Sequence, residues 1–325
     1  MLGHPFLIGP ALGLVSAIVF ASATTGPLVV RFLLFFITSL PIFLAGLGWG
    51  PTTAVLAGLA GTALVAVSAG PLVGLAFAAS QVVPVIVLSY LALLSRAGPP
   101  GPGGGETIEW YPPGRLVVSA ALMAACLSVV SVLLLGGSHE EIKGSLGTYI
   151  DKMVKSDLPQ MQGSPALGEA EISSLAEITA AVLPAASGIS WMASLLFNLW
   201  LAGRITLASG QLRRPWPDLA AIEYPRGTAL LFAGSLIALL SKGNLALAAT
   251  GFTGTLFLAY VLLGLAIVHY TTRGKSWRPF ALWALYATLL VVNVWIAVLI
   301  ASLGLAESVV GLRRRTLPPP SGTST

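Results

Sequence analysis

The side chains best suited to moving protons or holding metals are few and scattered. The three histidines, His4, His139 and His269, are far apart, and none has a second histidine at ligand spacing. No pair of carboxylates falls inside an apolar run. No G-x-S-x-G, H-E-x-x-H or Walker sequence occurs. Gly101–Gly105 is glycine-rich but lacks the Lys-Ser/Thr that completes a phosphate loop. Cys126 is the single cysteine, so neither an internal disulfide nor a cysteine metal cluster can form. Lying between Ala125 and Leu127, it reads as a small buried residue. These residues nominate no catalytic group, no metal and no cofactor. They argue against an enzyme, and against ATP hydrolysis by this chain alone.

Polar residues inside apolar runs are a different signal, because hydrocarbon makes them costly. Gln81 stands three residues before Pro84, which marks a kink. Asn198 lies between Trp191 and Trp200, Asn293 between Trp283 and Trp295, and His269 precedes Tyr270. Amides hydrogen-bond and indole rings stack, so Trp191, Asn198, Trp200, Gln81, His269 and Asn293 are candidate ligand-binding residues for a flat, polar-edged molecule. The same residues suit hydrogen bonds between helices and anchoring at the membrane interface. Arg31 opens an apolar run and reads as snorkelling to the interface.

Small residues form rows. Gly9, Gly13, Ala17 and Ala21 recur every four residues, as do Ala54, Gly58, Thr62, Ala66 and Gly70. Such rows let helices approach closely in lipid. They serve either packing within the chain or docking of another membrane subunit, for which Gly9, Gly13, Ala17, Ala54 and Gly58 are the candidates.

The elements that must position these residues are helices in a bilayer. Of 325 residues, 56% are hydrophobic and 9% charged. Mean hydropathy is +0.88. A soluble core could not hide that much apolar surface. Before Arg96 the only charged side chain is Arg31. Apolar segments fall near 5–23, 28–48, 52–69, 72–95, 115–135, 178–207, 228–241, 245–270 and 280–304. The fold class is therefore all-α, a polytopic transmembrane helical bundle of about eight to ten segments. The first segment reads as a retained span, since no basic n-region precedes it. Gly26-Pro27, Gly50-Pro51 and Gly70-Pro71 end one helix and open the next.

Residues 1–95 form an N-terminal four-helix half, and 96–114 a Gly/Pro-rich linker that reads as unstructured. Residues 115–312 form a C-terminal half, and 313–325 a disordered tail. Within the second half, the polar insert 136–177 places Ile142, Leu146, Tyr149, Ile150 and Met153 at helical spacing. That pattern fits an amphipathic helix on the membrane surface or over a cavity.

The net charge of +5 does not point to nucleic acid, because the basic residues flank apolar runs, where they orient a membrane protein. Arg96, Arg115, Arg204, Arg213, Arg214, Arg226, Arg273, Lys275 and Arg278 share one face if each segment crosses once. The rule then places the N-terminus in the cytoplasm of a bacterial inner membrane. Arg313, Arg314 and Arg315 break this order, unless residues 280–312 form two short helices that dip in and return.

Three stretches carry a resemblance. They are Leu212-Arg213-Arg214-Pro215-Trp216-Pro217-Asp218-Leu219, Leu263 to Tyr270 (LGLAIVHY), and Leu303 to Ser308 (LGLAES) followed by Arg313-Arg314-Arg315. Together they resemble the YybS-like family of predicted membrane proteins, DUF2232, whose activity is not established. The resemblance implies a fold similar to the substrate-binding components of energy-coupling-factor vitamin transporters. It also implies docking, through Gly9, Gly13 and Ala17, on a membrane coupling subunit driven by ATPases. The function expected is capture of a small solute. The alternative is a non-transporting membrane scaffold for envelope or cell-division machinery.

Overall fold

The computed structural model describes residues 5–100, 105–134, 136, 139–156, 168–292, 294–311 and 313. Among the described residues, six helical segments are long and apolar enough to cross a membrane. They are Leu28–Trp49, Pro51–Ala69, Pro71–Leu93, Pro113–Leu133, Ala170–Ala208 and Asn244–Thr271. The chain is an all-α polytopic membrane protein.

Proline decides where several helices stop. α1 covers Pro5–Ser22. The second span is two helices, α2 (Leu28–Ile37) and α3 (Leu40–Trp49). Pro41 has no N–H for the Ile37 carbonyl, so the ladder breaks at Thr38–Ser39. α4 covers Pro51–Ala69. The fourth span runs through α5 (Pro71–Phe77), one π turn (Ala78–Val82) and α6 (Val83–Leu93). Pro84 leaves the Ser80 carbonyl without its usual donor, and the Val83 N–H reaches back five residues to Ala78. Gly50 (φ 108) and Gly70 (φ 100) hold the tight turns ahead of Pro51 and Pro71 in a region that side chains disfavour.

The stretch 96–114 carries more order than its composition suggests. β1 (Ser95–Ala97) pairs antiparallel with β2 (Ile108–Trp110), with Arg96 opposite Glu109. Residues 101–104 lie outside the described residues. α7 (Pro113–Leu133), α8 (His139–Ser156), α9 (Glu169–Ala208), α10 (Gly227–Ala238), α11 (Asn244–Thr271), α12 (Arg278–Val292) and α13 (Val294–Val310) follow. The expected final segment is thus two helices, α12 and α13, and residue 293 between them is outside the described residues. Cys126 is exposed on α7, not buried as expected. Ala124 and Ala125 take the inward positions, and the next residue turns about 100° away, since a helix holds about 3.6 residues per turn.

Packing divides the chain into two discontinuous units. The first holds Met1–Ala120 and Trp191–Pro225; the second holds Ala121–Ser190 and Arg226–Thr325.

In the first unit, α1 and α4 meet where a Cβ on Gly13 would collide with the backbone of Ala57. Gly9 abuts Thr53 and Leu56, and Gly58 abuts Val82. Ala17 and Ala54 are buried. The rows read as a docking face are therefore occupied by the chain's own helices, because a missing side chain is what allows that approach.

In the second unit, Leu-Gly-Leu-Ala occurs in both α11 (263–266) and α13 (303–306). A Cβ on Gly264 would meet the Ile300 carbonyl, and one on Gly304 the Tyr260 carbonyl. Ile142 of the polar insert is fully buried with Val132, Ala180 and Leu247, and Leu146 packs beside them. The start of the amphipathic face thus rests on the bundle, not on lipid. The side chains of Tyr149, Ile150 and Met153 lie outside the described residues.

Candidate functional site

A cluster of buried polar groups surrounds the break between α2 and α3. A broken ladder frees carbonyls, and hydrocarbon offers them no donors. Three side chains supply donors here. Ser194 Oγ donates to the Phe36 carbonyl at 2.6 Å and Asn198 Nδ2 to the same oxygen at 2.7 Å. Ser16 Oγ of α1 donates to the Thr38 carbonyl at 2.6 Å. At the break itself, Ser39 Oγ donates to Gln81 Oε1 of the π turn at 2.7 Å. Ser16, Thr38, Ser39, Gln81 and Asn198 are all at most 2% exposed. Two proline-induced irregularities, in the second and fourth spans, therefore face each other through one hydrogen bond.

Hydrogen-bonding capacity is left over. Asn198 Oδ1, Trp191 Nε1, Ser89 Oγ and Thr53 Oγ1 are buried without a hydrogen-bond partner. Trp191, Ser194 and Asn198 fall at i, i+3 and i+7, one face of α9. Gly46 of α3 lies against the Ser89 hydroxyl. Trp200 is 45% exposed and stacks at the edge of Phe197, which in turn meets Phe36.

The structure thus brings Trp191, Asn198 and Gln81 into one unit and leaves Trp200 on its outside. His269 belongs to the second unit. Its Nδ1 lies 3.0 Å from the Leu265 carbonyl and its Nε2 3.5 Å from the Tyr286 hydroxyl. Asn293 lies outside the described residues. Among the described residues, no group of three His, Cys, Asp or Glu side chains is placed to hold a metal.

A second cluster, at the helix ends of the first unit, was not singled out as a site. The loop after α9 folds back along the ends of α3, α6 and α7. Gln211 reaches Gly48, Arg213 reaches Gly50, and the Glu223 backbone lies on Gly114. Trp216 packs over Gly203, with the Arg204 guanidinium 5.3 Å from its ring centroid. Arg214 is 9% exposed and donates through Nη1 to the carbonyls of Ala92 (2.8 Å) and Tyr111 (3.4 Å). A cation there suits the negative end of α6. Burial pulls its pKa below the usual guanidinium range. The tripeptide Arg213-Arg214-Pro215 could have flagged it, but nothing in spacing alone separates the buried arginine from its exposed neighbour.

Glu307 and Arg313 form a third feature. Arg313 Nε donates to Glu307 Oε1 at 2.8 Å, and both side chains are at most 7% exposed. The Arg313 guanidinium also lies 5.6 Å from the Tyr270 ring centroid. A paired, buried arginine is not the free charge that the orientation rule counts. Arg314 and Arg315 are outside the described residues.

A family model described as predicted membrane protein (DUF2232) matches residues 14–308, most of the chain. The chain belongs to that family of membrane proteins of unknown function. No curated protein and no solved structure matches it. The implied likeness to substrate-binding components of energy-coupling-factor transporters therefore has no structural neighbour behind it. The three sequence stretches that carried the resemblance all map to close internal contacts: the Arg214 loop, the α11–α13 crossing, and the Glu307–Arg313 pair.

Proposed function

We propose that the protein captures a small polar solute inside the membrane, at the interrupted second span, without converting it chemically. The observation that carries this reading is the unmet hydrogen-bonding capacity of Asn198 Oδ1 and Trp191 Nε1 on one face of α9, beside a broken helix. Buried polar atoms are nearly always paired in folded proteins, so each unpaired one asks for a partner such as water or a ligand. Interrupted helices with small polar side chains are how membrane carriers bind solutes near mid-depth. Capture then requires α2 and α3 to hinge at Thr38–Ser39, because Asn198 is fully enclosed as folded. A coupling subunit with its ATPases would dock elsewhere than on Gly9, Gly13, Ala17, Ala54 and Gly58, which are occupied. The proposed compartment is a bacterial inner membrane with the N-terminus in the cytoplasm.

A second reading, a non-transporting scaffold for envelope or cell-division machinery, is favoured by a different observation. Asn198 Nδ2 already holds the Phe36 and Ser194 carbonyls, and Trp200 faces outward. Under it the polar cluster only repairs the helix break.

Native mass spectrometry of the chain extracted with its lipids separates the two. Capture predicts a bound small molecule on the wild type and at least about tenfold weaker retention by Asn198→Leu, the loss of about one good polar contact. A retained ligand with unchanged affinity in Asn198→Leu removes Asn198 from the site. A wild type that carries lipids alone supports the scaffold.

A further inference from the structure

A guanidinium carries five N–H donors in a planar fork. Arg214 uses Nη1 for the carbonyls of Ala92 and Tyr111. Its Nε is buried and has no hydrogen-bond partner. Nη2 donates to none of the described residues, and no carboxylate among them pairs with Arg214. The unused Nε/Nη2 edge is the one that grips two oxygens of a carboxylate or phosphate at once. The far side of the group is already fixed, with Trp110 stacked at 5.8 Å from the charge. The fork is therefore pre-oriented, enclosed, and unpaired on one edge.

Position selects the anion. Arg214 sits where α6 ends and α7 begins, at the adjoining ends of the spans Pro71–Leu93 and Pro113–Leu133, and the ends of a membrane span meet the headgroup region. Exposed Arg115, Arg204 and Arg213 belong to the same helix ends. Basic side chains gathered there attract anionic headgroups. Trp110, Tyr111 and Trp216 have the amphipathic rings of an interfacial belt.

We infer that the unpaired Nε/Nη2 edge of Arg214, reached when the loop around it parts, binds a phosphate group, supplied either by an anionic phospholipid headgroup or by phosphate from solution. The site is separate from the polar cluster at the α2–α3 break, so the two readings stand or fall independently.

The test titrates the full chain in mild detergent with phosphatidylglycerol, phosphatidylcholine and inorganic phosphate, reading bound adducts by native mass spectrometry. The wild type should hold one tight phosphatidylglycerol in preference to phosphatidylcholine. Arg214→Lys keeps the charge but loses the fork, and should bind that lipid at least about tenfold more weakly. Arg213→Gln should weaken it by no more than about threefold, the scale of an exposed charge. Displacement of the lipid by millimolar phosphate would place the source in solution. Equal affinity in wild type and Arg214→Lys overturns the assignment, as does a wild type that binds neither phosphatidylglycerol nor phosphate. If Arg214→Lys does not fold, the wild type labelled with 15N at arginine Nε decides. The Nε–H resonance of Arg214, displaced by the Trp110 ring, must shift on adding phosphatidylglycerol and not on adding phosphatidylcholine. No shift with either lipid or phosphate overturns it equally.

Discussion

Asn198 shows how one side chain can serve packing and recognition together. Its amide nitrogen satisfies the Phe36 carbonyl at the break ahead of Pro41, while its oxygen has nothing to accept from. Replacing both Ser194 and Asn198 with alanine leaves the Phe36 carbonyl without its two donors. The pair should cost about 1–3 kcal/mol, the penalty of a buried unpaired acceptor, read as a lower melting temperature in detergent. Glu307 and Arg313 behave differently because both carry charge. Glu307→Ala removes the carboxylate paired with a buried guanidinium and should cost about 3–5 kcal/mol, whereas replacing both residues with apolar ones should cost much less. A double-mutant cycle followed by thermal melting checks this; equal losses in single and double variants would contradict it. At this scale the sequence was partly legible. Gln81 and Asn198 stood out because polar groups are rare in apolar runs. Arg214 did not, because arginines next to helix ends are common and only the fold shows which one is enclosed.

The elements are governed by proline and glycine. Gly-Pro pairs marked three helix ends at once, since the signal is local and needs no tertiary context. Pro41 and Pro84 act instead inside spans, where hydropathy alone reads straight through them. Pro41→Ala should restore the ladder across Thr38–Ser39 and slow amide exchange from Phe36 to Leu40. If the break serves capture, ligand retention should fall even as stability rises. The small-residue rows were visible as rows, but not what fills them, because a stripe of glycine and alanine reads the same whether its partner is inside or outside the chain. Gly13→Leu would drive a side chain into the Ala57 backbone. It should destabilise the α1–α4 crossing by at least about 1–3 kcal/mol, the usual cost of overpacking, with a matching drop in melting temperature. Gly304→Leu should do the same at the Tyr260 carbonyl in the second unit.

At the scale of the whole molecule, the sequence yields contiguous segments, but packing does not respect them. Trp191–Pro225 returns to the first unit after a long excursion through the second. A linker rich in glycine and proline looks like a boundary from composition, yet its two flanks pair as a hairpin and Arg214 binds beside it. The membrane class was legible because hydropathy is additive along the chain. Which distant residues share a unit was not, since that depends on long-range pairing. The most direct test of solute capture is an electron cryomicroscopy map of the chain in lipid nanodiscs, held by a rigid binder. Capture predicts non-protein density within hydrogen-bonding distance of Asn198 Oδ1 and Trp191 Nε1. A closed interior with protein atoms packed against both, and no such density, would contradict it.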